Sequence, residues 1–272
     1  MVEAEPTLPR PFVAIVLIVL ATQAPYLFFT PGKHDPEIWP FYGLLAGFLA
    51  LALDRPARLA DAGLTSRGLL RGVPWLVLAL AAWASGLALG HLLGWVHFSE
   101  GVNRSGPDLL RPFLARLALV AAVAILGDEL AWRGVLLGDA RARFGRWRGL
   151  LLIAVLSALY RIPLLVRMGL VDDLSIGIQA GARELLRALA LGLLFERTRN
   201  LWVTGLYAFA VWGAPMLILG NAEDPFEPLL FYGGAGGRFV ALTWLGELLP
   251  VVVLLATAPR GAVTASARST DP

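Results

Sequence analysis

The chain has 272 residues, 57% of them hydrophobic and only 16% charged, with a mean hydropathy of +0.69; a soluble domain carries about 25% charged residues, so this is the composition of an integral membrane protein. There is no cysteine, which excludes disulfides, thiol catalysis and cysteine-ligated metals. The formal charge of +3 and the pI near 9.7 follow from membrane orientation and contact with anionic lipid, so the expected partner is the bilayer, with no nucleic acid.

A bilayer span needs about 20 apolar residues. In chain order the candidates are Pro11–Phe29, Ile38–Leu53, Val73–Val96, Pro112–Leu137, Gly149–Met168, Ile176–Phe195, Leu201–Leu219 and Phe239–Ala258. The second is short and the sixth carries charges; the first has no A-x-A-like cleavage site and reads as a retained helix. The expected fold is therefore all-α, a polytopic transmembrane helix bundle of about eight spans.

Arginine placement orients it. Thirteen arginines fall at the N-terminus, after spans two, four and six, and in the tail, against five basic residues in the other loops. That asymmetry places both termini in the cytoplasm and the chain in the cell membrane as a multi-pass protein. Three regions result: 1–111 with three helices, 112–220 with four, and 221–272 with a loop, a last helix and a tail. The stretch Asn221–Arg238 holds "GGAGG" and reads as a flexible loop. The tail "RGAVTASARSTDP" reads as disordered.

With Arg167, at the very end of the fifth span, counted among the loops, nine charged side chains fall inside these spans: Arg116, Asp128, Glu129, Arg133, Arg161, Arg183, Glu184, Arg187 and Glu247. Each costs on the order of 2.5–3.5 kcal/mol at a helix centre, so each needs a partner or water. Glu129 and Arg133 are one helical turn apart and share a face, while Asp128 is rotated by about 100° towards another neighbour. Two readings stand here, a buried structural ion pair and a catalytic or ion-binding carboxylate site. Arg183, Glu184 and Arg187 are expected to form an interfacial salt bridge with snorkelling arginines. Glu247, just before Pro250, suits a cap or an inter-helix hydrogen bond.

His34, His91 and His97 are the three histidines. None belongs to an H-E-x-x-H helix, and His91 and His97 do not share a helix face. Ser157 has no histidine on a neighbouring span to act as its base.

Three stretches, in order, resemble the CPBP intramembrane metalloproteases, also called the CAAX protease and Abi family. "DELAWRGVLLGDARARFG", Asp128–Gly145, is similar to that family's Glu-Glu-x-x-x-Arg-Gly motif and basic loop. "VLSALYRIP", Val155–Pro163, falls where the family has Phe-x-x-x-His. "ALGLLFERTRNLWVTGLYAFAVWG", Ala190–Gly213, resembles its Gly-x-x-x-x-x-x-x-Thr-x-x-Leu-Trp helix-loop-helix, which ends in His-x-x-x-Asn. The resemblance implies a CAAX-protease-like core in 112–220 and catalytic motif positions at Asp128, Glu129 and Arg133. It also implies that the two metal-ligand His positions are Arg161 and Ala208 here, and that the Asn position is Trp212.

A zinc site wants imidazole or carboxylate ligands in a tetrahedral set, and arginine does not deprotonate to ligate a metal. The sequence thus points to a family member with a degenerate site: no metal, no cofactor, impaired catalysis, and a scaffold or regulatory role towards a membrane-associated peptide or protein. Arg161 is expected to neutralise the acid pair, and Trp212 either fills the substrate cavity or faces lipid. The alternatives are an active zinc endopeptidase with an atypical ligand such as His91, acting on prenylated or bacteriocin-like peptides, and a small transporter that uses the buried charges as a relay.

Overall fold

The computed structural model describes residues 10–23, 39–54, 62–94, 96–98, 125–167, 174–213, 230–232 and 248–257. Eight helices α1–α8 are named in chain order: Arg10–Ala21, Trp39–Asp54, Leu69–Leu92, Leu137–Phe144, Arg146–Arg167, Leu174–Thr198, Leu201–Ala208 and the stretch 248–256. A π-helix, Ile125–Leu136, runs directly into α4, and a second π-helical turn, Phe209–Gly213, extends α7. Each of the eight expected spans overlaps one of these helical segments, and the first, fourth, seventh and eighth also run into stretches outside the described residues. Among the described residues only α3 is both long and apolar enough to cross a membrane by itself.

The π-helix is the hub. It packs along α2 and against α1, α5, α6 and α7, and ten of its twelve residues are buried. Its contact with α2 is backbone against backbone, made by Gly43 and Gly47 on one side and Gly127 on the other. A Cβ at Gly47 would stand 2.0 Å from the Leu126 carbonyl oxygen, and one at Gly127 would stand 2.4 Å from the Gly43 carbonyl carbon. The spacing "GLLAG" is the small-xxx-small pattern that lets membrane helices approach closely.

The bundle buries a small set of charged and polar side chains within an apolar core and presents apolar side chains outside as well. Leu151, Val155, Leu159, Ile162 and Val166 form an exposed stripe at helical spacing along α5, while Glu129 and Arg133 are each only 2% exposed.

Arginines gather at one end of the bundle. Glu196 of α6 pairs with Arg141 of α4 and Arg146 of α5, both at 3.0 Å, and Arg197 donates to the Leu254 carbonyl (2.6 Å) and Thr257 Oγ1 (2.8 Å) in the last helix and turn. Asn200 ties the segment before α3 to the same end by donating to the carbonyls of Thr65 (2.6 Å) and Arg67 (2.9 Å).

Two expectations change at the opposite end. His97, read as the end of a helix, is in a strand: α3 stops at Leu92, Gly94 turns the chain at φ +68, and Val96–Phe98 (β1) pairs antiparallel with Leu230–Tyr232 (β2). The two segments satisfy one another's backbone across the pair, where the sequence suggested loop on the second side. Glu247, Arg116, His34, the glycine run after β2 and the C-terminal tail lie outside the described residues.

Candidate functional site

Asp128, Glu129 and Arg133 all project from the π-helix into the bundle and are buried. Long π-helical runs are rare, and π segments recur at functional sites because the widened turn re-aims side chains. The four-residue spacing still closes the pair: Arg133 Nη1 lies 3.4 Å from Glu129 Oε1. Arg133 also donates from Nη1 to Ser157 Oγ on α5 (3.3 Å) and from Nη2 to the Ala188 carbonyl on α6 (3.2 Å). One guanidinium thereby joins three helices, which its planar fork of donors allows and an ammonium would not.

Asp128 turns the other way. Its Oδ2 accepts from Arg161 Nη2 of α5 in an ion pair. The rest of its surroundings is set by the helix crossing and the aromatic wall. A Cβ on Gly43 would stand 2.9 Å from Asp128 Oδ1, Tyr160 stands beside the carboxylate, and Trp132 packs edge-on against Tyr160 at 5.6 Å between centroids. Thr204 of α7 stands next to Glu129.

A third acid joins the cluster. Glu184 and Arg187 form an ion pair on α6 and are both buried, with Glu184 inside the electrostatic reach of Arg133 and Arg161. The expectation of an interfacial, snorkelling bridge is corrected here. Residues 184–187 sit at the middle of α6, Leu174–Thr198, so they face the bundle interior and extend the charged network. Asp128, Glu129 and Glu184 carry three negative charges against the positive charges of Arg133, Arg161 and Arg187, so the buried network neutralises itself.

Arg161 is therefore at the site, and Ala208 closes α7, partly buried against the core. Trp212 lies in the π-helical turn that follows, and its side chain is outside what is described. His91 is exposed near the end of α3. Sequence reasoning did not foresee Ser157 as a partner of Arg133, nor the glycines that bring α2 onto Asp128. The spacing of Gly43 and Gly47 was the available signal for the latter.

The donor set does not fit a zinc-type ion. Among the described residues no three His, Cys, Asp or Glu side chains converge, and Asp128 and Glu129 each give one oxygen to a guanidinium. Asp128 Oδ1 and Glu129 Oε2 remain as buried oxygens that accept no hydrogen bond among the described residues.

The comparisons with known proteins agree with this stretch of chain. No curated protein matches it. Residues 110–214 match the family model described as type II CAAX prenyl endopeptidase Rce1-like, and these residues include every member of the charged network; the chain carries an Rce1-like domain, consistent with the CPBP/CAAX protease family.

Proposed function

We propose that this is a multi-pass protein of the cytoplasmic membrane, with about eight spans and both termini in the cytoplasm, in which the CAAX-protease site has become a closed ion-pair network with no metal. Its role is then to hold a membrane-associated peptide or protein rather than to cleave it. The observation that carries this reading is the Arg161–Asp128 ion pair. It sets a permanent guanidinium charge at a position where the resembled family has an imidazole, and it occupies an oxygen of the acid that would activate water.

Membrane placement rests on the exposed apolar stripe along α5, set beside the buried charges of the π-helix, and on the collection of arginines at one end of the bundle. Exposed apolar stripes on this scale suit lipid, and the basic end suits the cytoplasmic face.

The opposing reading, an active endopeptidase, has one observation in its favour. Among the described residues Asp128 Oδ1 and Glu129 Oε2 are buried acceptors without a donor, as a pair orienting a water would be. Metal analysis of the purified chain by mass spectrometry, paired with a cleavage assay on a prenylated peptide, decides between them. No stoichiometric metal and no cleavage are expected. About one equivalent of zinc, lost in Asp128→Ala/Glu129→Ala, together with cleavage, would overturn the non-catalytic reading.

A further inference from the structure

At the basic end of the bundle the segment before α3 and the turn between α6 and α7 line an open cavity of about 490 Å³. Arg67, Arg71, Arg197 and Arg199 line it, together with Thr65, Gly68 and Thr198, and among the described residues no carboxylate does. The nearest acid on α6, Glu196, is held by Arg141 and Arg146. Among the described residues no carboxylate pairs with Arg67, Arg71 or Arg199. Like charges crowd the region further, with Arg199 in the electrostatic reach of Arg141 and Arg146 in that of Arg197. Four arginines repel one another unless an anion joins them.

The walls are built to keep them together. Asn200 is fully buried and sews the two segments by its bonds to the Thr65 and Arg67 carbonyls, and Leu201 N adds a bond to the Gly63 carbonyl at 2.9 Å. Gly68 takes φ +80 at the start of α3, where a Cβ would stand 2.6 Å from the Thr198 carbonyl oxygen, so only glycine permits the approach. Arg199 itself adopts φ +49, the only positive value among the described non-glycine residues. That conformation ends α6, with the Arg199 N–H donating to the Phe195 carbonyl at 2.8 Å, and it turns the chain so that Arg199 joins the cavity lining. Arg197 is fixed over the Trp75 ring at 4.9 Å and by its bonds to Leu254 and Thr257. Positive-inside bias explains arginines scattered over a cytoplasmic face; it does not explain four that converge on one cavity from segments about 130 positions apart.

We propose that this cavity binds a phosphate ester, presented either by the headgroup of an anionic lipid or by a soluble organophosphate. Planar guanidinium groups match phosphate oxygens in paired, charge-assisted hydrogen bonds. The volume exceeds a bare phosphate and leaves room for the group it esterifies. The proposal does not depend on whether the charged network near Asp128 is catalytic, because none of these residues touches it.

The test uses the full chain in a neutral detergent and short-chain dioctanoyl phosphatidic acid as the probe, with dioctanoyl phosphatidylcholine as reference, read by calorimetry. Saturable binding of the phosphatidic acid alone is expected, weakened about tenfold or more in Arg67→Gln/Arg71→Gln and in Arg199→Gln. Arg148→Gln, a basic change at the same end but outside the cavity, should leave it unchanged. Competition by inorganic phosphate would assign the site to soluble phosphate compounds, and its absence would assign it to lipid; both support the site. Equal binding in the cavity variants and wild type, or equal weakening in Arg148→Gln, would overturn it. Arg67, Arg71 and Arg199 are exposed and make no ion pair among the described residues, so folding should survive their replacement.

Discussion

Arg161 and Asp128, 33 positions apart in sequence, are joined by an ion pair that ties α5 to the π-helix at the level of the buried acids. Removing the arginine strands a carboxylate whose second oxygen accepts no hydrogen bond among the described residues. A buried pair broken from one side costs about 3–5 kcal/mol, whereas replacing both partners by apolar groups is often neutral. Arg161→Ala should therefore lower the unfolding midpoint in detergent and cut expression. Asp128→Leu/Arg161→Met should recover most of the loss. A single variant as stable as wild type would show that the pair contributes nothing.

Arg133 gives a graded series. Its guanidinium serves Glu129, Ser157 and the Ala188 carbonyl together. Lysine keeps the charge but lacks the fork, so Arg133→Lys should cost about 1.5–3 kcal/mol, and Ser157→Ala only about 0.5–1.5 kcal/mol. Denaturant titration of the two variants checks the order, and a reversed order would mean that Ser157 has a task beyond accepting this bond.

The glycine crossing makes an independent prediction about how Asp128 is placed. Gly47→Ala drives a methyl into the Leu126 carbonyl, and overpacking of that kind costs about 1–3 kcal/mol. Gly138 in α4 meets nothing within 4 Å, so Gly138→Ala should be neutral or stabilising by about 0.5–1 kcal/mol through helix propensity. Paired thermal unfolding in one detergent separates the two. If both shift the midpoint alike, backbone approach of α2 to the π-helix is not what positions the acids.

Much of this site could be read from the chain before any coordinates. Four-residue spacing announced Glu129–Arg133, and the one-position offset announced that Asp128 would seek another partner, which proved to be Arg161. What stayed hidden was tertiary. Glu184 and Arg187 were assigned to an interface because local sequence gives the spacing of charges and not the depth at which a helix packs. The π-winding of Ile125–Leu136 was likewise invisible, since its apolar pattern is also that of an ordinary helix. The short β1–β2 pairing joins segments more than 130 positions apart, and nothing in either three-residue stretch names the other.

Asn200 offers the sharpest remaining test, because one side chain there has two separable duties. Its Oδ1 accepts from Val203 N at 3.1 Å and caps α7, while its Nδ2 donates to the Thr65 and Arg67 carbonyls. Asn200→Ser should preserve the cap and lose only the two bonds across to the segment before α3. Asn200→Ala should lose both, with the cap alone contributing about 1 kcal/mol. Hydrogen exchange followed by mass spectrometry should show residues 62–72 exchanging faster in both variants, with the π-helix protected as in wild type. Unchanged protection of 62–72 would mean that Leu201 N and its bond to the Gly63 carbonyl hold the two segments together without Asn200. Faster exchange, in contrast, makes this amide the rivet on which the arginine cavity depends, and phosphatidic acid binding should weaken in Asn200→Ser although no arginine has changed.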